Sequence, residues 1–150
     1  MARTELVEFT NMCMVYDGDK VLAQDKISKT WGGAIFPGGH VEPNEDFTDA
    51  VIREVYEETG LTISCPRLCG IKDWYNDDGS RYVVLLYKTD KFTGELKPSE
   101  EGEVFWVSLD ELKKLNLASE MEKMLEVFLN DDLSEMCYHK ENGDWVTILK

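Results

Sequence analysis

Three glutamates, Glu54, Glu57 and Glu58, stand in i, i+3 and i+4 relation within a stretch, Glu45 to Thr59, that holds neither glycine nor proline. On a helix this spacing puts three carboxylates on one face over about one turn. Like charges at i, i+4 cost a helix roughly 0.2–0.5 kcal/mol per pair, so the pattern calls for compensation. One candidate is Arg53, whose planar fork can hold a carboxylate by two parallel hydrogen bonds. The other is a divalent cation, because clustered carboxylates with water make the oxygen-rich site that Mg²⁺ or Mn²⁺ prefers. A solvated acidic face is the plainer alternative and is what most charge runs are. The three glutamates alone leave these readings open.

The elements around them are readable from periodicity and turn chemistry. Gly60 marks a helix stop, and Val51, Ile52, Val55 and Tyr56 form i, i+4 ridges suited to packing on a sheet. Leu6 to Tyr16, the turn Asp17-Gly18-Asp19 and Lys20 to Gln24 read as a strand, a turn and a return strand. A Gly- and Pro-punctuated loop then surrounds a short strand at Ala34 to Phe36. A long hairpin is expected from Leu61 to Tyr75 and Arg81 to Thr89 about the turn Asn76–Gly79. A strand at Glu103 to Val107 follows. Ser108 with Glu111 forms a capping box opening a helix to about Leu115, and the apolar spacing of Met121, Met124, Leu125 and Phe128 makes a further helix over Ser119 to Leu129. Asn142-Gly143 signals a terminal hairpin, at about residues 134–150. Strands interleaved with helices imply an α/β fold with a mixed sheet covered on its faces.

The chain has 150 residues, with 16 Lys+Arg against 30 Asp+Glu and a net charge of -14, which fits one domain, residues 1–150, with a core of its own. Hydrophobic residues make up 43% and are spread throughout, so wholesale disorder is excluded. An acidic chain lacks the clustered Lys and Arg that bind nucleic acid or an anionic membrane, so neither is expected as a partner. A phosphate-bearing substrate would need a local device, and a bound cation is one. No apolar run approaches the roughly 18 residues of a membrane span, and Met1 to Phe9 lacks the apolar core of a secretory signal, so a cytoplasmic location is expected. Cys13, Cys65, Cys69 and Cys137 form no metal-binding spacing and read as reduced core residues.

From Gly39 the chain reads Gly, five residues, Glu45, seven residues, then Arg53-Glu54-Val55-Tyr56-Glu57-Glu58-Thr59-Gly60-Leu61. This resembles the Nudix box, GX5EX7REUXEEXGU with U a bulky aliphatic, at all nine specified positions over 23 residues. FPGGHVEPNE is similar to the MutT-like branch, and residues 6 to 129 follow the element order of a Nudix domain. The resemblance implies an α/β/α sandwich with the box as a loop-helix-loop, and hydrolysis of a nucleoside diphosphate linked to another moiety. It implies that Glu54, Glu57 and Glu58, with the Gly38 carbonyl, ligate Mg²⁺ (or Mn²⁺), that Arg53 orients the glutamates, that Glu45 braces the loop, and that Gly39 and Gly60 allow its turns. The general base of MutT-like relatives corresponds to Glu54, whereas other Nudix enzymes draw it from a later loop. A further ligand is expected among Glu100, Glu101 and Glu103, of which Glu101 is chosen.

For the rest of the substrate, Lys26 corresponds to a phosphate-contacting position of relatives, Trp31 could stack on a base, and Asn116 lies where MutT-like enzymes read the purine. Trp106 is expected in the core, and His40 and His139 as solvated histidines. The implied activity is conversion of a nucleoside triphosphate to monophosphate and pyrophosphate, with 8-oxo-dGTP as the substrate and nucleotide-pool sanitation, a contribution to DNA repair, as the role. The alternatives are hydrolysis of dinucleoside polyphosphates or ADP-ribose, or a Nudix-fold sensor without turnover. The terminal hairpin, rich in Met, Cys, Tyr and Trp, is expected to pack on its own domain or on a second copy in a homodimer.

Overall fold

The computed structural model describes residues 2–26, 32–97, 99–100 and 102–150, and of Lys26 the backbone alone. The elements run β1 (Val7–Asp17), β2 (Lys20–Lys26), β3 (Gly33–Ile35), α1 (Phe47–Thr59), β4 (Leu61–Ile63), β5 (Arg67–Tyr75), β6 (Arg81–Thr89), β7 (Phe92–Gly94), β8 (Gly102–Ser108), α2 (Leu109–Leu112), α3 (Met121–Leu129), β9 (Glu135–Glu141) and β10 (Asp144–Leu149). Among the described residues the main sheet has the order β10-β9-β5-β6-β1-β2-β3, with β8 also on β2, and β4 and β7 form a separate ribbon. β1 runs parallel to β6, and β9 parallel to β5, while the other pairs are antiparallel, so the sheet is mixed.

Period-two alternation along β1 assigns its side chains to two cores. Met12 and Met14 join Met121, Met124, Leu125 and Phe128 of α3, with Phe36 meeting Phe128 edge to face at 5.2 Å. Cys13 and Val15 point the other way and join Val83, Leu85 and the α1 residues Val51 and Val55. Helices therefore cover both faces, as an α/β/α sandwich requires. Burying each valine of α1 contributes roughly 1.5–3 kcal/mol.

One departure from a continuous sheet creates the site. β2 pairs along its length with β8, but its other edge meets β1 only at Val21 and Lys20 before turning to β3. Residues 37–41 run along the uncovered part of β1 instead: Cys13 N–H donates to Pro37 O (2.9 Å), Asn11 N–H to Gly39 O (2.8 Å) and Val41 N–H to Phe9 O (3.0 Å). The glycine-rich loop is thereby fixed like a strand.

Several boundaries differ from the sequence expectation. The Leu61–Tyr75 strand is broken at Ser64–Pro66, where Cys65 adopts φ 51° and Pro66 has no N–H to give a ladder, so β4 turns away to pair with β7, which the sequence reading left unassigned. α1 starts at Phe47 rather than Glu45, because Glu45 is held in the preceding turn. α2 ends at Leu112, since Asn116 and Ala118 leave the helical path to bond β3 through Ala34 N–H to Asn116 O and Ala118 N–H to Ala34 O. Ser108 caps it as expected, its hydroxyl accepting from Glu111 N–H at 3.1 Å. α3 begins at Met121 rather than Ser119. Of the cysteines, Cys13 and Cys137 are buried and Cys69 half-buried, but Cys65 is exposed in the β4–β5 turn; all four are free thiols.

Candidate active site

α1 carries the site because its two faces have different tasks. Ala50, Val51 and Val55 are buried against the sheet, and the Glu54–Glu58 ridge beside them borders the glycine loop. The helix ends where Gly60 takes φ 83°, a left-handed conformation open to glycine at little cost, and donates its N–H to Tyr56 O at 2.8 Å. Tyr56 is exposed, so of the expected apolar ridges only the Val51–Val55 line is in the core.

Arg53 neutralises the crowding. Its Nε and Nη2 donate to the two oxygens of Glu45 at 2.8 and 2.9 Å, the bidentate fork that guanidinium and carboxylate geometries share. Nη1 donates to Glu54 Oε1 (2.9 Å) and Glu57 Oε2 (3.1 Å), and Nη2 also reaches His40 O at 3.0 Å. One cation thus ties the loop to two of the three glutamates. Glu45 accepts the Glu42 N–H as well (3.0 Å), and the Arg53 bonds together with this one hold its carboxyl at about 2, below the ordinary carboxylate range.

On the other side of the glutamates lies the glycine backbone. Gly38 N–H donates to Glu58 Oε2 at 3.1 Å, and Gly39 N–H to Asn11 Oδ1 at 3.1 Å. A Cβ on Gly39 would stand 2.4 Å from Glu54 Oε2, so only glycine lets the loop approach this closely. Because an N–H can only donate, the Gly39 bond fixes the Asn11 amide with its oxygen toward the loop; its Nδ2 is buried and has no partner among the described residues.

These groups border one cavity of about 760 Å³, where Glu54 and Glu58 meet Gly38 and Gly39, and which extends past Thr10 and Val84 to Lys72, Trp74 and Tyr82. Glu57 is more than half exposed and faces Arg53 rather than the cavity. Among the described residues no three His, Cys, Asp or Glu side chains close a metal cage by themselves. Two carboxylates on a cavity, with oxygen donors only, instead fit Mg²⁺, which is commonly held by one or two carboxylates, water and the substrate's own phosphates. The same set offers none of the soft ligands of a structural zinc site.

The expected residues divide clearly. Arg53, Glu54, Glu57, Glu58, Gly38, Gly39 and Glu45 are brought together. Asn116 does not border the cavity itself: it is exposed at an adjoining hollow of about 380 Å³ that shares Ala118 and Ser119 with it, and its carbonyl accepts from Ala34 N–H. The Lys26 side chain, Trp31 and Glu101 lie outside the described residues. Glu100 and Glu103 are exposed and do not border the cavity. His40 borders it but is exposed and pairs with Glu8 at 2.7 Å, while His139 is exposed on β9. Trp106 packs on Phe92 at 5.2 Å in the α1-side core, as expected. The sequence reading passed over Asn11, Lys72, Trp74 and Tyr82. Its available signals were the polar Asn11 inside the apolar run Phe9 to Val15 and the charged Lys72-Asp73 pair inside a strand.

The model of the NUDIX domain matches residues 10–128. The chain is 36% identical over 120 residues to the uncharacterised Nudix hydrolase YvcI of Bacillus subtilis, covering 77% of this chain and 74% of that one. It is 31% identical over 115 residues to the ADP-ribose pyrophosphatase of Methanocaldococcus jannaschii, covering 75% and 67%. Among solved structures, a MutT protein from Bacillus halodurans superimposes with TM-score 0.79 at 30% identity, over 95% of this chain and 97% of that one.

Proposed function

This chain belongs to the Nudix family of hydrolases, and on that premise we propose that it is a Mg²⁺-dependent pyrophosphohydrolase that cleaves a nucleoside triphosphate to the monophosphate and pyrophosphate. The observation that carries this reading is the cavity in which Glu54 and Glu58 meet the Gly38–Gly39 backbone while Arg53 ties Glu54 and Glu57 to the loop. Glu54 and Glu58, with the Gly38 carbonyl beside them, would hold the cation. When bound, Mg²⁺ supplies Lewis acidity to the phosphoryl oxygens and to the attacking water.

The chain's own groups do the rest. Glu54 accepts the proton of the attacking water, and the Arg53 Nη1 bond to its Oε1 aims that carboxylate. Glu58, buried and held by Gly38 N–H, gives the site a second fixed negative charge. Glu57 acts through Arg53 at the rim. The walls from Thr10 to Tyr82 take the nucleoside and exclude water from that end.

The likeness to a MutT protein over nearly the whole chain favours an oxidised purine triphosphate such as 8-oxo-dGTP, whose removal sanitises the nucleotide pool. The M. jannaschii relative supports a second reading, ADP-ribose hydrolysis to AMP and ribose phosphate. Product analysis with Mg²⁺ separates them. The leading reading requires 8-oxo-dGMP and pyrophosphate from 8-oxo-dGTP at a kcat/KM above that for ADP-ribose. Release of orthophosphate, or faster AMP formation from ADP-ribose, would reject it.

A further inference from the structure

The cavity has a second charged end that the hydrolytic reading does not use. Register places Lys72 of β5 opposite Val84 of β6, Val84 opposite Thr10 of β1, and Thr10 opposite His40 of the glycine loop. All four border the cavity, forming one row across the sheet. At about 4.8 Å per strand, Lys72 stands roughly 14 Å from the loop on which the glutamates close, a span suited to a nucleoside with its phosphates.

Among the described residues the Lys72 ammonium has no ion pair and no hydrogen bond. Its neighbours are rings, with Nζ 5.4 Å from the Trp74 centroid and 5.3 Å from that of Tyr138. Burial lowers its pKa, while the charge of Glu120 acts in the opposite sense. A half-buried cation held by ring faces and the field of Glu120, with no oxygen bonded to it among the described residues, is short of an acceptor. Trp74 does not offer a free stacking surface: Tyr82 lies on it at 4.4 Å and 13°, and Lys72 lies over the ring as well. Recognition here falls to the edge of the ligand rather than its face. Tyr138 belongs to the terminal hairpin, beyond residues 10–128 that the family model covers, so strand β9 contributes to the surroundings of Lys72.

Resting on the proposed nucleotide hydrolysis, we propose that Lys72 selects the base, its ammonium donating a hydrogen bond to the 6-keto oxygen of a purine. An ammonium has three donors and no acceptor. A keto oxygen satisfies it, whereas the 6-amino group of adenine presents another donor. The protein therefore prefers keto-purine nucleotides to amino-purine ones, by the roughly 10- to 100-fold that a hydrogen bond to a charged group supplies.

The pair dITP and dATP isolates this contact, since both lack the 2-amino group and differ at the 6-position and its neighbouring nitrogen. With full-length protein and Mg²⁺, kcat/KM should favour dITP by about 10- to 100-fold. Lys72→Met should bring the ratio within about threefold, with the loss falling on dITP. Lys72→Arg, which keeps charge and donors, should retain the preference, and Tyr138→Leu should weaken it. Should Lys72→Met fail to fold, as read by circular dichroism, the arginine and leucine variants carry the test. Equal rates on both nucleotides in the parent, or an unchanged ratio in Lys72→Met, would overturn the assignment and leave the hydrolytic reading standing. If neither nucleotide turns over, the hydrolytic reading fails for these substrates. The same ratio is then read from equilibrium binding by tryptophan fluorescence, where equal affinities reject the role of Lys72.

Discussion

The two ends of the cavity are built on opposite principles. At the glutamate end every charge is answered: Arg53 divides its fork between Glu45, Glu54 and Glu57, and Gly38 gives its N–H to Glu58. At the lysine end the Lys72 ammonium is set among Trp74 and Tyr138 and, among the described residues, makes no ion pair or hydrogen bond, with Glu120 acting on it only through its field. The first arrangement fixes atoms for chemistry that must occur in one geometry. The second leaves a donor waiting for a ligand, which is how a site makes binding depend on what the ligand presents. Hydrolysis and selection are thereby assigned to residues that share a cavity but no hydrogen bond.

The sharpest way to break this division is to disable the glutamate end. Glu54→Gln keeps the shape of the side chain and removes a proton acceptor, so kcat should fall by roughly 10²- to 10⁴-fold with KM within a few-fold, measured on 8-oxo-dGTP. Chelation should likewise stop turnover, and added Mg²⁺ should restore it. Gly39→Ala comes next. Its methyl would meet Glu54 Oε2 at 2.4 Å, and a displacement of about 1 Å at a reacting group costs on the order of 10²-fold in kcat. Arg53→Lys retains the charge but cannot serve Glu45 by a fork while reaching Glu54 and Glu57. Turnover should drop roughly tenfold and Tm should fall. The Tm difference should shrink as pH falls from about 4.5 toward 2, because the depressed Glu45 pKa contributes stability that is present above the unfolded value and lost as that carboxylate protonates.

The smallest effect concerns the strand that carries the lysine. Asp73, next to Lys72 but on the opposite face of β5, is buried beside Glu135 of β9. Burial and that neighbour push its carboxyl up to about 6, although Arg81 Nη1 bonds it at 3.1 Å. A carboxyl raised in the folded state binds its proton more tightly there than in the unfolded chain. Its contribution is therefore complete below about 4 and is lost as pH rises through about 6. Asp73→Asn should remove this decline, so its Tm advantage over the parent should grow between pH 4 and 6.5 and then level off. A constant difference across that range would contradict the raised Asp73 pKa.

The two ends also differ in how far they could be read from sequence. Everything at the glutamate end except Asn11 lies between Gly38 and Gly60, where helix periodicity gathers the three glutamates on one face and the resemblance to the Nudix box adds Gly38, Gly39, Glu45 and the role of Arg53. The lysine end is assembled from β5, β6 and β9, so Lys72, Trp74, Tyr82 and Tyr138 become neighbours only through strand order, and a single Lys in a strand carries no local signal. The same limit applies to Asn116, placed near the purine by resemblance: strand order alone shows that residues 116–118 run beside β3 and that its hollow adjoins the cavity through Ala118 and Ser119. It explains β7 as well, since Phe92–Gly94 has partners only once Ser64–Pro66 turns the chain away from β5.

The most direct test of separate ends is a kinetic comparison of three proteins, the parent, Glu54→Gln and Lys72→Met, each with dITP and dATP in Mg²⁺. The account predicts that Glu54→Gln lowers kcat/KM for both nucleotides by the same large factor and preserves their ratio, whereas Lys72→Met collapses the ratio. A changed ratio in Glu54→Gln, or a uniform loss in Lys72→Met, would contradict it.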